Sequence, residues 1–151
     1  MTITFTTANI QASLRQISHL EVQDIPDAEA RDNARAGLDK IDEVNRCLAH
    51  GFAQVRRRCW RFLADDDTNS KTRVYIIPGN TVFNLNLSER RMLDKAEAIS
   101  SAMEKLAIDY ALSMFYSSVN QPELSKKHSL AAVDAGTELD ELLYAKKPPR
   151  V

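Results

Sequence analysis

At 151 residues with a net charge of -1, the chain is long enough to bury one core without metal or disulfide staples, and it carries no global basic field to draw it onto nucleic acid or an anionic membrane. Its 44% hydrophobic and 27% charged content, with only 4 Gly and 5 Pro, excludes a disordered or fibrous chain and favours a helix-rich globular domain spanning 1–151. The first twenty residues lack the charged start and apolar run of a signal peptide, and no apolar stretch reaches membrane-spanning length, so a soluble, intracellular chain is expected.

The opening Thr2-Ile3-Thr4-Phe5-Thr6 alternates in the strand period but is short and terminal, and residues 1–6 read as an arm. A short helix follows from Thr7 to about Leu20, with Ile10, Leu14 and Ile17 on one face and Thr6 or Thr7 available as its cap. Pro26 suits a helix's first turn, and Asp27 and Glu29 after it favour the positive end of a helix dipole.

From there Ala34, Leu38, Ile41, Asn45, Leu48, Phe52, Val55, Cys59 and Phe62 recur at alternating steps of three and four, a heptad seam. Continuous from Pro26 to Ala64, this helix would be on the order of 55 Å long. Asn45 either fixes register as a polar seam residue or marks a kink, or a shift of the seam onto Val44; Gly51 is a second weak point. On that one helix Cys47 and Cys59 would lie roughly 18 Å apart, too far to pair, and they read as small buried apolar residues.

The run 65–70 has no periodicity and is expected to be a loop. Arg73 to Ile77 is dense in strand formers, Pro78-Gly79-Asn80 supplies turn chemistry, and Val82 to Leu87 alternates again, which predicts a β-hairpin over 72–87. An isolated hairpin is marginal in water, so Tyr75, Ile77, Phe83 and Leu85 are candidates to pack on a partner. Ser88 is a good cap for a third helix from Glu89, apolar on nearly every side between Ala107 and Val119, which marks it as central. Asn120 and Pro122 restart a fourth helix running to about Ala145, with Leu124, His128, Ala131, Ala135, Leu139 and Leu142 on one face. Lys146, Lys147, Pro148, Pro149 and Arg150 then form an extended basic arm, either a docking segment or a frayed end. The fold class is mainly α: a bundle of about four helices, one of them long, with a hairpin between the second and third.

Little in these elements is poised for chemistry. Asp65, Asp67 and Asn69 match the start of a calcium loop, but Ser70 stands where Gly is needed and Ile76 where a bidentate Glu is needed. Cys47 and His50 are a helical turn apart, with Cys59 too distant to complete a zinc site. No cofactor, metal or catalytic residue is nominated, and His19, His50 and His128 read as structural. The cluster Arg56, Arg57, Arg58 and Arg61 around Trp60 is a candidate nucleic-acid contact; cations closing a helix next to an acidic loop are the blander and better-supported reading.

The phrases "VFNLNLSERR" and "LLYAKKPPRV", with the long third helix between them, resemble the helical head-tail connector or adaptor proteins of tailed bacteriophages and prophages. That resemblance covers roughly Pro26 to Arg150. It implies a non-enzymatic structural protein of the virion, assembled in the host cytoplasm as a homo-oligomeric ring, commonly of twelve copies. Such a ring binds the portal and neighbouring connector or tail proteins, with the C-terminal arm docking on the portal and non-specific DNA contact in the channel. The alternative from the residues alone is a small helical DNA-binding or regulatory protein using its basic clusters.

Overall fold

Alternation in Thr2-Ile3-Thr4-Phe5-Thr6 sends Ile3 and Phe5 to one side of an extended segment. In a computed structural model, which describes residues 2–63, 79–87 and 95–144, that side is interior. Strand β1 (Thr2–Thr6) pairs antiparallel with β2 (Asn80–Asn84), in register from Thr2 opposite Asn84 to Thr6 opposite Asn80. The N-terminal segment is therefore not an arm. Phe5, Phe52 and Phe83 form a ring cluster with centroids 5.5 to 6.1 Å apart, and burying Ile3 and Phe5 against it favours a paired strand over a free end.

Helix α1 (Thr7–Gln23) leaves β1 directly. Thr6 holds the N-cap position without a side-chain bond, and the Thr7 N–H donates instead to the Gly79 carbonyl at 2.8 Å, tying the helix start to β2's entry. The helix runs past Leu20 because Val22 buries fully. Asp27 caps α2 (Ala28–Asp39) by accepting from the Glu29 N–H at 3.2 Å.

The long heptad helix is not formed. Lys40 is extended (φ -83°, ψ 92°), separating α2 from α3 (Ile41–Cys59), which alone is about 28 Å long. The break leaves Ile41 exposed while Val44 is buried, so the seam passes through Val44; Asn45 is half-buried and accepts a hydrogen bond from Gln11 of α1. A bend at Lys40 lets both helices use one neighbour, α4 (Ala96–Ser118): Gly37 of α2 faces Phe115 and Val119, and Gly51 of α3 faces Ala107.

After α3, a 3₁₀ turn (Trp60–Phe62) brings Leu63 into a bridge with Leu85, and the Asn86 N–H donates to the Phe62 carbonyl at 2.6 Å. The expected start of the third helix at Ser88 and Glu89 lies outside the described residues; its described part, α4, is buried on most sides, as its composition predicts. Asn120 adopts φ 58°, a left-handed conformation that asparagine tolerates, and turns the chain into α5 (Pro122–Tyr144). Helix makes up 81% of the described residues, in five helices instead of about four, beside one two-stranded antiparallel sheet. No helix among the described residues is long and apolar enough to cross a membrane.

Gly51 fixes how closely α3 and α4 approach. A Cβ added there would stand 2.2 Å from the Ala107 carbonyl oxygen, a backbone atom that cannot swing aside. Gly51→Ala should destabilise the chain by about 2–3 kcal/mol in urea denaturation. Gly79→Ala, where an added Cβ meets nothing within 4 Å, should change stability by less than about 0.5 kcal/mol.

Candidate functional site

His128 lies on the inward stripe of α5, where a polar residue interrupts a run of alanines and leucines, and it is only 4% exposed. Asp109 and Tyr116 are seven residues apart on α4 and so share a face, while Glu21 projects from the last turn of α1. The three helices bring these groups together. The His128 Nδ1 is 2.9 Å from Asp109 Oδ1 and its Nε2 is 2.7 Å from Glu21 Oε1. Tyr116 donates its hydroxyl to the same Glu21 oxygen at 3.2 Å and stacks on the imidazole, with ring centroids 5.6 Å apart. Lys127 holds Glu21 Oε2 at 2.8 Å, and Lys105 approaches Asp109 at 3.8 Å.

Two carboxylates facing two ring nitrogens set the charge state. Each carboxylate accepts only, and a neutral imidazole has one N–H, so both contacts are satisfied only by the imidazolium. Burial pulls the His128 pKa down, but hydrogen bonds from the ring to Asp109 and Glu21 and their charges outweigh it and raise the value above its ordinary 6.5. Burial likewise pushes Glu21 up, yet the bonds from Lys127 and His128 hold it below its ordinary 4.5. Tyr116 is raised by its burial, with the Glu21 charge adding to the effect, so its phenol stays protonated and donates.

The members of this constellation are paired with one another. Both ring nitrogens are occupied, and the imidazole lies between the carboxylates, so the three side chains do not converge on a common point. Among the described residues no group of three or more His, Cys, Asp or Glu could hold a metal ion. Both cysteines are buried; burial raises the Cys47 pKa and pushes Cys59 up to about 12, leaving them as unreactive thiols.

The arginine cluster is divided by the fold. Arg56 is buried, its guanidinium donating to the Val82 carbonyl at 3.2 Å and lying 4.6 Å from the Phe83 ring centroid, so it is an internal tie between α3 and β2 and not a nucleic-acid contact. Arg58 pairs with Asp140 of α5, and Arg57 and Arg61 remain exposed. Phe83 and Leu85 are 0% and 3% exposed, filling the chain's own core; Phe83 is covered by β1 and by Phe52 of α3, and Leu85 bridges Leu63, so they form no free surface for a partner. Tyr75, Ile77 and residues 146–150 lie outside the described residues, as does the first strand of the expected hairpin; within them β2 pairs with β1.

No family model, no curated protein and no solved structure matches the chain.

Removing one member of the buried cluster leaves an unpaired charge, so Asp109→Ala should destabilise by roughly 3 kcal/mol. The pH profile has a defined sign. His128, raised above 6.5, contributes fully below that pH and loses its contribution as pH climbs through the raised value; Glu21, lowered below 4.5, contributes above 4.5 and loses it as pH falls through the lowered value. Urea midpoints should therefore peak between 4.5 and 6.5, and the decline on the alkaline side should flatten in His128→Gln.

Proposed function

We propose that the chain is a non-enzymatic subunit of a larger particle, of the head-tail connector or adaptor type, that joins copies of itself into a ring binding a portal. One observation carries this reading: large aliphatic side chains point outward in pairs at helical spacing. Leu130 and Val133 on α5 are 58% and 56% exposed, and Ile17 and Leu20 on α1 are 39% and 63% exposed. Single exposed leucines are ordinary, whereas pairs one helical turn apart on two separate helices offer apolar strips that a second chain can cover.

The disposition of the charges supports the same reading. Among the described residues the Glu21–His128–Asp109 cluster is paired within itself, and two of the four clustered arginines are engaged with β2 and α5: Arg56 is buried, and Arg58, though exposed, pairs with Asp140. Taken alone, Arg57 and Arg61 beyond those ties are a small surface for the DNA-binding alternative, since non-specific affinity grows with the number of phosphates neutralised; the second basic cluster of that alternative, 146–150, lies outside the described residues. Strips on two different helices also suit the heterologous, head-to-tail contact that closes into rings.

Sedimentation velocity at increasing protein concentration tests the proposal. The chain should grow into a closed oligomer, and Leu130→Glu combined with Val133→Glu should weaken that association at least tenfold while leaving helical circular dichroism unchanged. A chain that stays monomeric at the highest concentration, or a double variant that assembles as well as the parent, overturns it.

A further inference from the structure

The end of α1 is assembled against its own electrostatics. Glu21 stands in the last turn and Asp24 at the C-cap, with no basic residue in that turn, so two carboxylates add to the negative end of the helix dipole. Compensation comes from elsewhere in the fold: Lys127 and His128 of α5 hold Glu21 at 2.8 and 2.7 Å, and Tyr116 of α4 adds a third donor. The turn that follows is closed by two long backbone bonds of 3.2 Å, from the Asp24 N–H to the Glu21 carbonyl and from the Ile25 N–H to the Val22 carbonyl. Beside it lies a surface depression lined by Glu21, Asp24, Ile25, Leu124 and Lys127.

We propose that protonated His128 is a latch: its imidazolium fastens the last turn of α1 and the Ile25 turn to α4 and α5, and loss of its proton releases that end while the rest of the fold stays closed. The geometry dictates where the release falls. A neutral ring has one N–H for two carboxylates, so one of them then meets a nitrogen lone pair at under 3 Å in a site 4% exposed. The two carboxylate side chains are equally buried, each 11% exposed, but Asp109 sits mid-helix on α4, which packs against both α3 and α5, whereas Glu21 sits in the last turn of α1, so Glu21 is the one whose backbone can move away.

The groups facing the ring are Glu21 from α1 and Asp109 and Tyr116 from α4. Lys105 of α4 lies behind Asp109, and Lys127 of α5 lies behind Glu21. Neither lysine can replace the imidazolium in the interior, since their side chains are 55% and 65% exposed. Lys127 can instead follow Glu21 outward and keep its pair in water. What the movement uncovers is apolar: Val22 and Ile25 are 0% and 6% exposed with the latch closed. A proton thus controls access to a hydrophobic patch at the α1–α2 turn. This inference stands on the interior contacts and is independent of the assembly reading.

Nuclear magnetic resonance of the whole chain tests it by following the His128 ring resonances and the exchange of the Asp24 and Ile25 amides as pH rises from below 6.5. After correction for intrinsic base catalysis, protection at these two amides should fall by about tenfold or more in step with the His128 titration, while amides near Ala107 keep theirs. Glu21→Gln, which preserves shape and removes one charge, should move the midpoint to lower pH. His128→Gln should remove the step. The latch is overturned if the two amides stay protected through the titration, if the step survives in His128→Gln, or if α1 and α4 open together. Should His128→Gln fail to fold, Glu21→Gln decides: the exchange step at Asp24 and Ile25 should move to lower pH together with the His128 titration, and the latch is overturned if the titration moves and the exchange does not.

Discussion

The closest approach of two helices sets the geometry of this chain. At Gly51 the α3 backbone has no side chain, so it rests against the Ala107 carbonyl of α4, and Val44, Leu48, Phe52 and Val55 join Ile99, Met103 and Leu106 in one core cluster. Everything else is arranged around α4. Helix α5 returns beside it after the left-handed turn at Asn120, and α2 reaches that same C-terminal end of α4, at Phe115 and Val119, because the chain bends at Lys40. A helix surrounded in this way can be apolar on nearly every side, which is why its sequence lacks a polar face.

Burying α4 on so many sides has an electrostatic consequence. Asp109 is carried inside with it, and a buried carboxylate is tolerable only when paired and hydrogen-bonded. His128 supplies the pair, Glu21 balances the second ring nitrogen, and the two lysines bring solvent-facing charge to the rim. Arg56 lies at another side of the core, where its guanidinium sits over the Phe83 ring and donates to the Val82 carbonyl. Such contacts add little net stability over well-packed apolar residues, because desolvation offsets most of the Coulomb gain. Their effect is specificity. An ionic cluster shared by α1, α4 and α5 has one satisfactory arrangement, so it selects that relative placement of helices over others that bury the same apolar area.

Local periodicity made α1, α5 and the central character of α4 legible, since each rests on contacts a few residues apart and on punctuation such as Pro122. Two features escaped it for a common reason. The steps of three and four continue through Ile41, so nothing local marks the break at Lys40; it is favoured only because α2 gains Phe115 and Val119, which lie some eighty residues onward. The alternation in Thr2–Thr6 and in Val82–Leu87 was visible at both places, yet neighbouring segments are the natural pairing to infer, and the strand partner lay across α1, α2 and α3. His128 was placed on the correct face of its helix, and a polar residue in an apolar stripe is the one signal the sequence offers. Its partners Asp109 and Glu21 are 19 and 107 residues away and belong to helices whose faces had no visible reason to meet there.

The distribution of polarity links the interior to the proposed assembly. Among the described residues, Glu21, Asp109 and His128 are turned inward and paired with one another, while leucine, isoleucine and valine side chains stand outside on α1 and α5. These side chains stand outside a core that is already closed without them, and under the proposed assembly they are the surface a second chain would cover. The two strips also differ in what stands behind them. Leu130 and Val133 ride on α5, which is braced along its length by α4 and by the Arg58–Asp140 pair, and this makes a rigid face that loses little entropy on docking. Ile17 and Leu20 ride on the end of α1 that Glu21 and His128 hold in place, so the position of that strip depends on the ionic cluster beneath it. If the proposed head-to-tail contact joins these two strips, its α1 side would depend on the His128 proton and its α5 side would not.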